Sequence, residues 1–400
     1  MKGLALVVLM GAIFLNACAP AATGVPPGTS AALPTAAGSP AALAVTLQPD
    51  EAPPAGAASE FTTDFSRHSV PYDEIFSGGP PKDGIPSIDD PKFETITYAD
   101  LWLGDREPVI LVRVGDDARA YPIQVLMWHE IVNDEVGGLP LTITFCPLCN
   151  TAIAFERQVG DRVLDFGTTG RLRYSNLIMY DRQTETWWQQ ADGLAIAGDL
   201  TGTQLAFYPA AIVAWSEFTQ AYPEGKVLSR ETGFVRDYGR NPYEGYDDVN
   251  SSPFLYQGPP TPGRLLPMAR VLTVDFSGEA VAYPYDTLAE LSVVNDTVGE
   301  REIVVLWQAG ATSPLDEGTV AGGKRVGTAA AYSRDLDGQT LTFTFDGGSI
   351  RDEQTGSTWD ALGRALSGPL EGETLDPVVA INHFWFSWAA FRPDTRIFEP

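Results

Sequence analysis

Ala120-Tyr121-Pro122, then Leu126, then Val132-Asn133-Asp134 and Gly137, is a pattern that the chain writes twice. It returns as Ala282-Tyr283-Pro284, Leu288, Val294-Asn295-Asp296 and Gly299, with no gap, at a constant offset (282 − 120 = 162). The match continues in order with small changes of offset. Thr151-Ala152, Phe155 and Arg157 fall on Thr328-Ala329, Tyr332 and Arg334 (328 − 151 = 177). Gln183-Thr184 and Trp188 fall on Gln354-Thr355 and Trp359 (359 − 188 = 171), and Trp215 and Pro223 on Trp385 and Pro393 (385 − 215 = 170). One such coincidence is cheap, but four in sequence are the mark of an internal repeat.

The repeat sets the fold class. Apolar runs are short, rich in Val, Ile, Tyr and Phe, and broken by frequent Gly and Pro, as expected of strands joined by tight turns. The expected architecture is α+β and strand-rich, with two tandem copies of a related, mostly antiparallel β unit carrying short helices. Copy one spans 105–230 and copy two 268–400. A leader covers 61–104, and a Gly/Pro/Tyr-rich connection covers 231–267. Within copy one, Ile131–Val136 and Leu139–Phe145 flank Gly137-Gly138, a two-residue hairpin signal. That turn pairs positions whose numbers sum to 275 and sets His129 opposite Cys146 if the ladder reaches so far.

Outward from the repeat, the N-terminus reads as an export signal. Lys2 precedes an apolar stretch from Gly3 to Leu15, too short to span a bilayer stably. Leu15-Asn16-Ala17-Cys18 resembles a lipobox, which makes residues 1–17 a lipoprotein signal peptide and Cys18 the lipidated first residue. Residues 18–60, rich in Ala and Pro, then serve as a disordered tether. The expected location is extracytoplasmic, with the membrane as a partner through the lipid anchor. The net charge of −26 argues against nucleic acid, whose phosphates would be repelled.

Function should lie where the copies differ. His129, Glu130, Cys146 and Cys149 become Leu291, Ser292, Gln308 and Ala311 in copy two. Cys146-Pro147-Leu148-Cys149 with His129 suggests two thiolates and an imidazole in one soft metal site, for copper or zinc, with copper handling as the leading function. Glu130 and Met127 could approach that site if the helix before them runs on. A thiol–disulfide oxidoreductase is the alternative, and a binding scaffold with a structural disulfide is a third reading. The first two imply a metal-exchanging or redox partner protein. His68 is expected at the surface and His383 in the core. Arg171, Arg173, Asp181, Arg182, Arg230, Arg236 and Tyr238 stand out as arginines and their neighbours in an acidic chain. They suggest a cleft for an anionic ligand, although Arg–Asp pairs holding loops over a sheet explain them better.

Three stretches carry a resemblance: Trp128-His129-Glu130-Ile131-Val132-Asn133-Asp134, Phe145-Cys146-Pro147-Leu148-Cys149-Asn150-Thr151-Ala152, and Tyr180-Asp181-Arg182-Gln183-Thr184. Together with Ser77-Gly78-Gly79-Pro80-Pro81-Lys82-Asp83-Gly84-Ile85-Pro86 they resemble the bacterial family called domain of unknown function 3179, over about residues 65–398. The resemblance implies an extracytoplasmic protein, often with a signal or lipid anchor, and brings no activity with it.

Overall fold

Strands dominate the computed structural model, which describes residues 47–48 and 51–400. They are mostly antiparallel, and the six α-helices among the described residues are short. The signal peptide, Cys18 and most of the tether lie outside the described residues. The packed body begins earlier than the expected Phe61. The turn of helix Ala57–Glu60 buries Ala57, and Glu60 pairs with Arg171 at 3.0 Å.

Three sheets of four or five strands and a two-stranded ribbon, Gln158–Val159 with Arg162–Val163, are built from residues 75–228. One runs Ala211–Ala214, Pro108–Val114, Asp117–Pro122, Lys226–Leu228 and Phe93–Thr95 in spatial order. A second runs Phe207–Tyr208, Thr151–Glu156, Leu139–Cys146 and Ile131–Val136. The third runs Ile75–Ser77, Phe166–Arg173, Asn176–Asp181, Trp187–Gln189 and Ala195–Ala197. The leader thus supplies edge strands to two of them. Residues 270–397 form three sheets of three or four strands and a second two-stranded ribbon, Asp335–Leu336 with Gln339–Thr340. The sheets are Ile381–Phe384, Arg270–Phe276, Glu279–Pro284, Arg396–Ile397; then Val293–Val298, Arg301–Gln308, Thr328–Ser333; then Phe343–Asp346, Ser349–Asp352, Thr358–Trp359, Ala365–Ser367. The connection 231–267 contains no helix or strand.

Several recurring residues make matching hydrogen bonds between strands, buried in the first half and part-buried at Asn295 and Asp296 in the second. Asn133 donates to Phe166 O at 2.8 Å and accepts from Phe166 N at 3.0 Å; Asn295 makes the same pair with Phe343 at 2.7 and 2.9 Å. Tyr121 donates to Asp134 at 2.6 Å and Tyr283 to Asp296 at 2.8 Å. Trp188 donates to Asp181, and Trp359 to Asp352, both at 2.9 Å. Each of these polar groups would cost free energy if buried without its partner, so the sequence motif is the set of bonds that holds strand to strand.

The two halves exchange side chains. Glu217, on helix Trp215–Ala221, accepts from Thr328 at 2.6 Å and Gln308 at 2.6 Å. On helix Trp385–Ala389, Ser387 bonds His383 at 3.2 Å, and His383 bonds Thr151 at 3.0 Å. His383 is a core residue, as expected, and burial drives its pKa down to about 3. His68 is not at the surface. It is fully buried, with Nδ1 on Val70 O at 2.9 Å and its ring stacked on Tyr72 at 4.0 Å, because the leader folds against the third sheet.

Candidate functional site

The Gly137-Gly138 turn has both residues at positive φ (55° and 85°), which only glycine adopts freely, and it closes the hairpin in the expected register. The ladder runs from Val136↔Leu139 to Ile131↔Thr144 and is extended by a bond from Phe145 N to Glu130 O at 2.8 Å. Strand Leu139–Cys146 then enters the 3₁₀ turn Pro147–Cys149, with proline at its first position. Asn150 takes a left-handed conformation (φ 51°) and turns the chain back into strand Thr151–Glu156, where Cys146 pairs with Thr151.

This turn brings the two sulfurs to 3.1 Å, and both cysteines are free and buried. The Cys146 thiol donates to Cys149 Sγ, and the Cys149 thiol to Ser175 O at 3.4 Å. Asn176 Nδ2 donates to Cys149 Sγ at 3.3 Å. The Asn176 side chain is itself fixed, bonding Gln190 at 2.7 Å, Gln189 at 2.5 Å and Ala191 N at 2.9 Å. A neutral dithiol is therefore fully hydrogen-bonded, and negative charge placed on Cys149 Sγ finds an amide donor waiting. Burial, the neighbouring Cys149 and the Glu130 charge push the Cys146 thiol well above the usual thiol range.

Glu130 lies beside the sulfurs, because the helical turn before it runs on. Its N–H donates to Leu126 O at 2.7 Å in a left-handed conformation (φ 57°), so it ends the helical turn that begins at Ile123. Ser292 does the same at the same place in the second half (φ 61°, Leu288 O at 2.7 Å), so the backbone geometry belongs to the fold and not to the chemistry. What differs is the side chain. The Glu130 carboxyl is buried beside Cys146 and Tyr243, and no hydrogen bond or ion pair holds it among the described residues. Burial pushes its pKa up to about 8.

His129 points elsewhere. The ladder stops before it, because the helical turn carries it away from the strand. Its Nδ1 bonds Pro86 O at 2.7 Å and its Nε2 the Tyr238 hydroxyl at 2.6 Å. Burial lowers its pKa. In the neutral ring Nδ1 donates to the carbonyl, so Nε2 accepts from Tyr238, which in turn accepts from Thr232 at 2.5 Å. Both ring nitrogens are thus engaged, and its contacts are with Pro86, Tyr238 and Phe234 rather than with either sulfur. Met127 packs with Phe145 and Val125 in the cluster on the other face of the hairpin from the sulfurs. Among the described residues no group of three or more His, Cys, Asp or Glu side chains is arranged to hold a metal ion.

The connection covers the thiols. Tyr246 donates to Leu148 O, inside the Cys-Pro-Leu-Cys turn, at 2.9 Å, and Ser175 donates to Phe254 O at 2.6 Å. Tyr243 and Tyr246 pack against the cluster that contains both cysteines. Of the suggested cleft residues, three are ties to the leader: Arg171 to Glu60 at 3.0 Å, Arg173 to Glu74 at 2.7 Å, and Arg182 to Asp83 at 3.0 Å. Asp181 is buried under Trp188 and Thr184. Arg236 lies near the Phe234 ring at 5.7 Å. Only Arg230 and Tyr238 share a concavity. Asn176 carries no sequence signal as a partner of Cys149, and Tyr243 and Tyr246 stand out in the sequence only as tyrosines of the connection.

A family model described as a protein of unknown function, DUF3179, matches residues 82–395, and the chain belongs to that family. No curated protein and no solved structure matches it.

Proposed function

We propose that this member of the DUF3179 family is an extracytoplasmic thiol–disulfide redox protein, working through Cys146 and Cys149. The observation that carries the reading is the pair of free sulfurs 3.1 Å apart, with the buried Glu130 carboxyl beside Cys146. In the oxidising direction a partner disulfide R–S–S–R takes two electrons from the dithiol. Cys149 sulfur attacks one partner sulfur and releases R–SH; Cys146 sulfur then displaces the second, leaving the Cys146–Cys149 disulfide. Glu130 accepts a thiol proton and returns it in the reverse reaction. The thiols react only when Tyr246 and the connection move aside, since buried cysteines are inert. The partner is accordingly a protein that engages the connection.

A second reading keeps the same sulfurs as a copper or zinc site, supported by two soft donors on one turn. Two thiolates on a tetrahedral zinc, with Zn–S bonds of about 2.3 Å, stand about 3.8 Å apart, so the pair would have to open. Glu130, rather than His129, is the further donor beside them. The organisation we propose around the site is a duplicated unit, 105–230 and 268–400, of which the first alone kept the thiols. It would be exported by residues 1–17 and anchored through Cys18.

Purified protein in glutathione buffers poised between about −120 and −300 mV should lose and regain two thiols per molecule. Cys146→Ser and Cys149→Ser should abolish the change, and His129→Leu should leave it intact. A thiol count that never moves in these buffers removes the redox reading. Stoichiometric metal that survives purification and disappears in Cys146→Ser establishes the metal reading in its place. Anchoring is tested separately: labelled fatty acid should attach to the wild type and not to Cys18→Ser, and wild type that takes up no label excludes the lipid anchor.

A further inference from the structure

We propose that the open concavity centred on Arg230 binds a small organic carboxylate, taken on the free edge of that guanidinium. The concavity measures about 510 Å³ and is walled by Trp102, Gln124, Tyr238 and Arg240, with residues 318–321 of the second half closing one side. Its size is that of a small-molecule site.

Arg230 is held as a receptor group is held. Its guanidinium lies over the Trp102 ring at 4.2 Å, and Trp102 is fixed by a bond from Nε1 to Glu94 at 2.7 Å. Nε and Nη2 both donate to the single oxygen Gln124 Oε1, the first at 3.1 Å. Gln124 is buried, and its amide donates in turn to Glu107 at 3.0 Å. Both edges of Gln124 are therefore committed to orienting the arginine. The Nη1/Nη2 fork remains, and that edge matches a carboxylate with two parallel bonds.

Charge points the same way. The chain carries −26, yet Arg230 forms no ion pair among the described residues. Burial lowers its pKa against the opposing charges of Glu107 and Glu94, neither of which forms an ion pair with it. Two acids line the same concavity. Glu107 is buried and saturated by Gln124 and Gly104 N, and Asp237 stands 3.9 Å from Arg240 with both side chains exposed. Neither occupies the Arg230 fork. At the 162-residue offset Glu107 and Gln124 become Ala269 and Asp286, and 230 + 170 reaches the terminal Pro400, so the arrangement exists in one half only. Tyr238 joins this concavity to His129 by a 2.6 Å bond, and no residue of the thiol turn lines it, so the inference does not depend on the chemistry proposed there.

The test uses the purified protein and succinate as probe, with succinamide as the uncharged control and inorganic phosphate as the competing anion, read by calorimetric titration. Succinate should bind and succinamide should not. Arg230→Lys, which keeps the charge and can still reach Gln124, should weaken succinate at least about tenfold, since an ammonium lacks the fork. Cys146→Ser should bind succinate as the wild type does, which separates this inference from the redox reading. Absence of succinate binding, equal binding of succinamide or phosphate, or full affinity in Arg230→Lys each overturns it.

Discussion

Glu130→Gln is expected to raise the stability of the protein at pH 8 relative to pH 5, by roughly 3–5 kcal/mol in the difference between variant and wild type. The carboxyl titrates at about 8 when folded, against a usual value of 4.5. Between those two pH values the unfolded chain releases a proton that the folded chain retains. Stability therefore falls as pH rises from about 4.5 to about 8, and the loss is complete above the folded pKa. Glutamine fills the same space, tolerates the same left-handed backbone and has no proton to lose, so its own burial cost is the same at every pH. Urea unfolding of both proteins at pH 5, 6.5 and 8 measures the effect. Stability curves that run parallel across this range would mean that the carboxyl is solvated in the native protein. The same variant should slow thiol–disulfide exchange at neutral pH about a hundredfold if Glu130 carries the thiol proton, a typical effect for a positioned general base.

Asp134→Ala should cost about 3–5 kcal/mol, the range seen when one partner of a buried ion pair is removed. Asp134 accepts two bonds from Arg119 Nη1 at 2.8 and 2.7 Å and one from the Tyr121 hydroxyl at 2.6 Å, and all three residues are buried. Alanine leaves a buried hydroxyl without its acceptor and a guanidinium with only Asp117 beside it. Asp296→Ala is the internal control. Tyr283 and Arg396 take the corresponding places, but the Arg396 side chain is 43% exposed, so water replaces the lost bond and the cost should be clearly smaller. Equal losses in the two variants would show that burial of the pair does not set its worth.

What the sequence by itself determined is what depends on near neighbours. The hairpin register follows from two glycines and a side-chain period of two, and it was correct from Val136↔Leu139 to Ile131↔Thr144. The two-residue spacing brought Cys146 and Cys149 together, because a single 3₁₀ turn spans it. The strand-rich fold was likewise legible from short, turn-bounded apolar runs, whereas the hydrogen bonds of Asn133, Asp134 and Trp188 were not. Tertiary structure alone decided the rest. His129 leaves the position expected opposite Cys146 because a left-handed helix end at Glu130 overrides the strand period just where the ladder would have continued, and the same helical turn brings Glu130 to Cys146. That Arg171, Arg173 and Arg182 hold loops through carboxylates was the better sequence reading, but only the fold supplies their partners, Glu60, Glu74 and Asp83, about a hundred residues earlier in the chain. Likewise, burial alone raises the pKa of Glu130, and that burial comes from packing beside Cys146 and Tyr243, which lie far apart in the chain. Pairings and burial over such separations are fixed by the packing of the whole body, and local spacing carries no record of them.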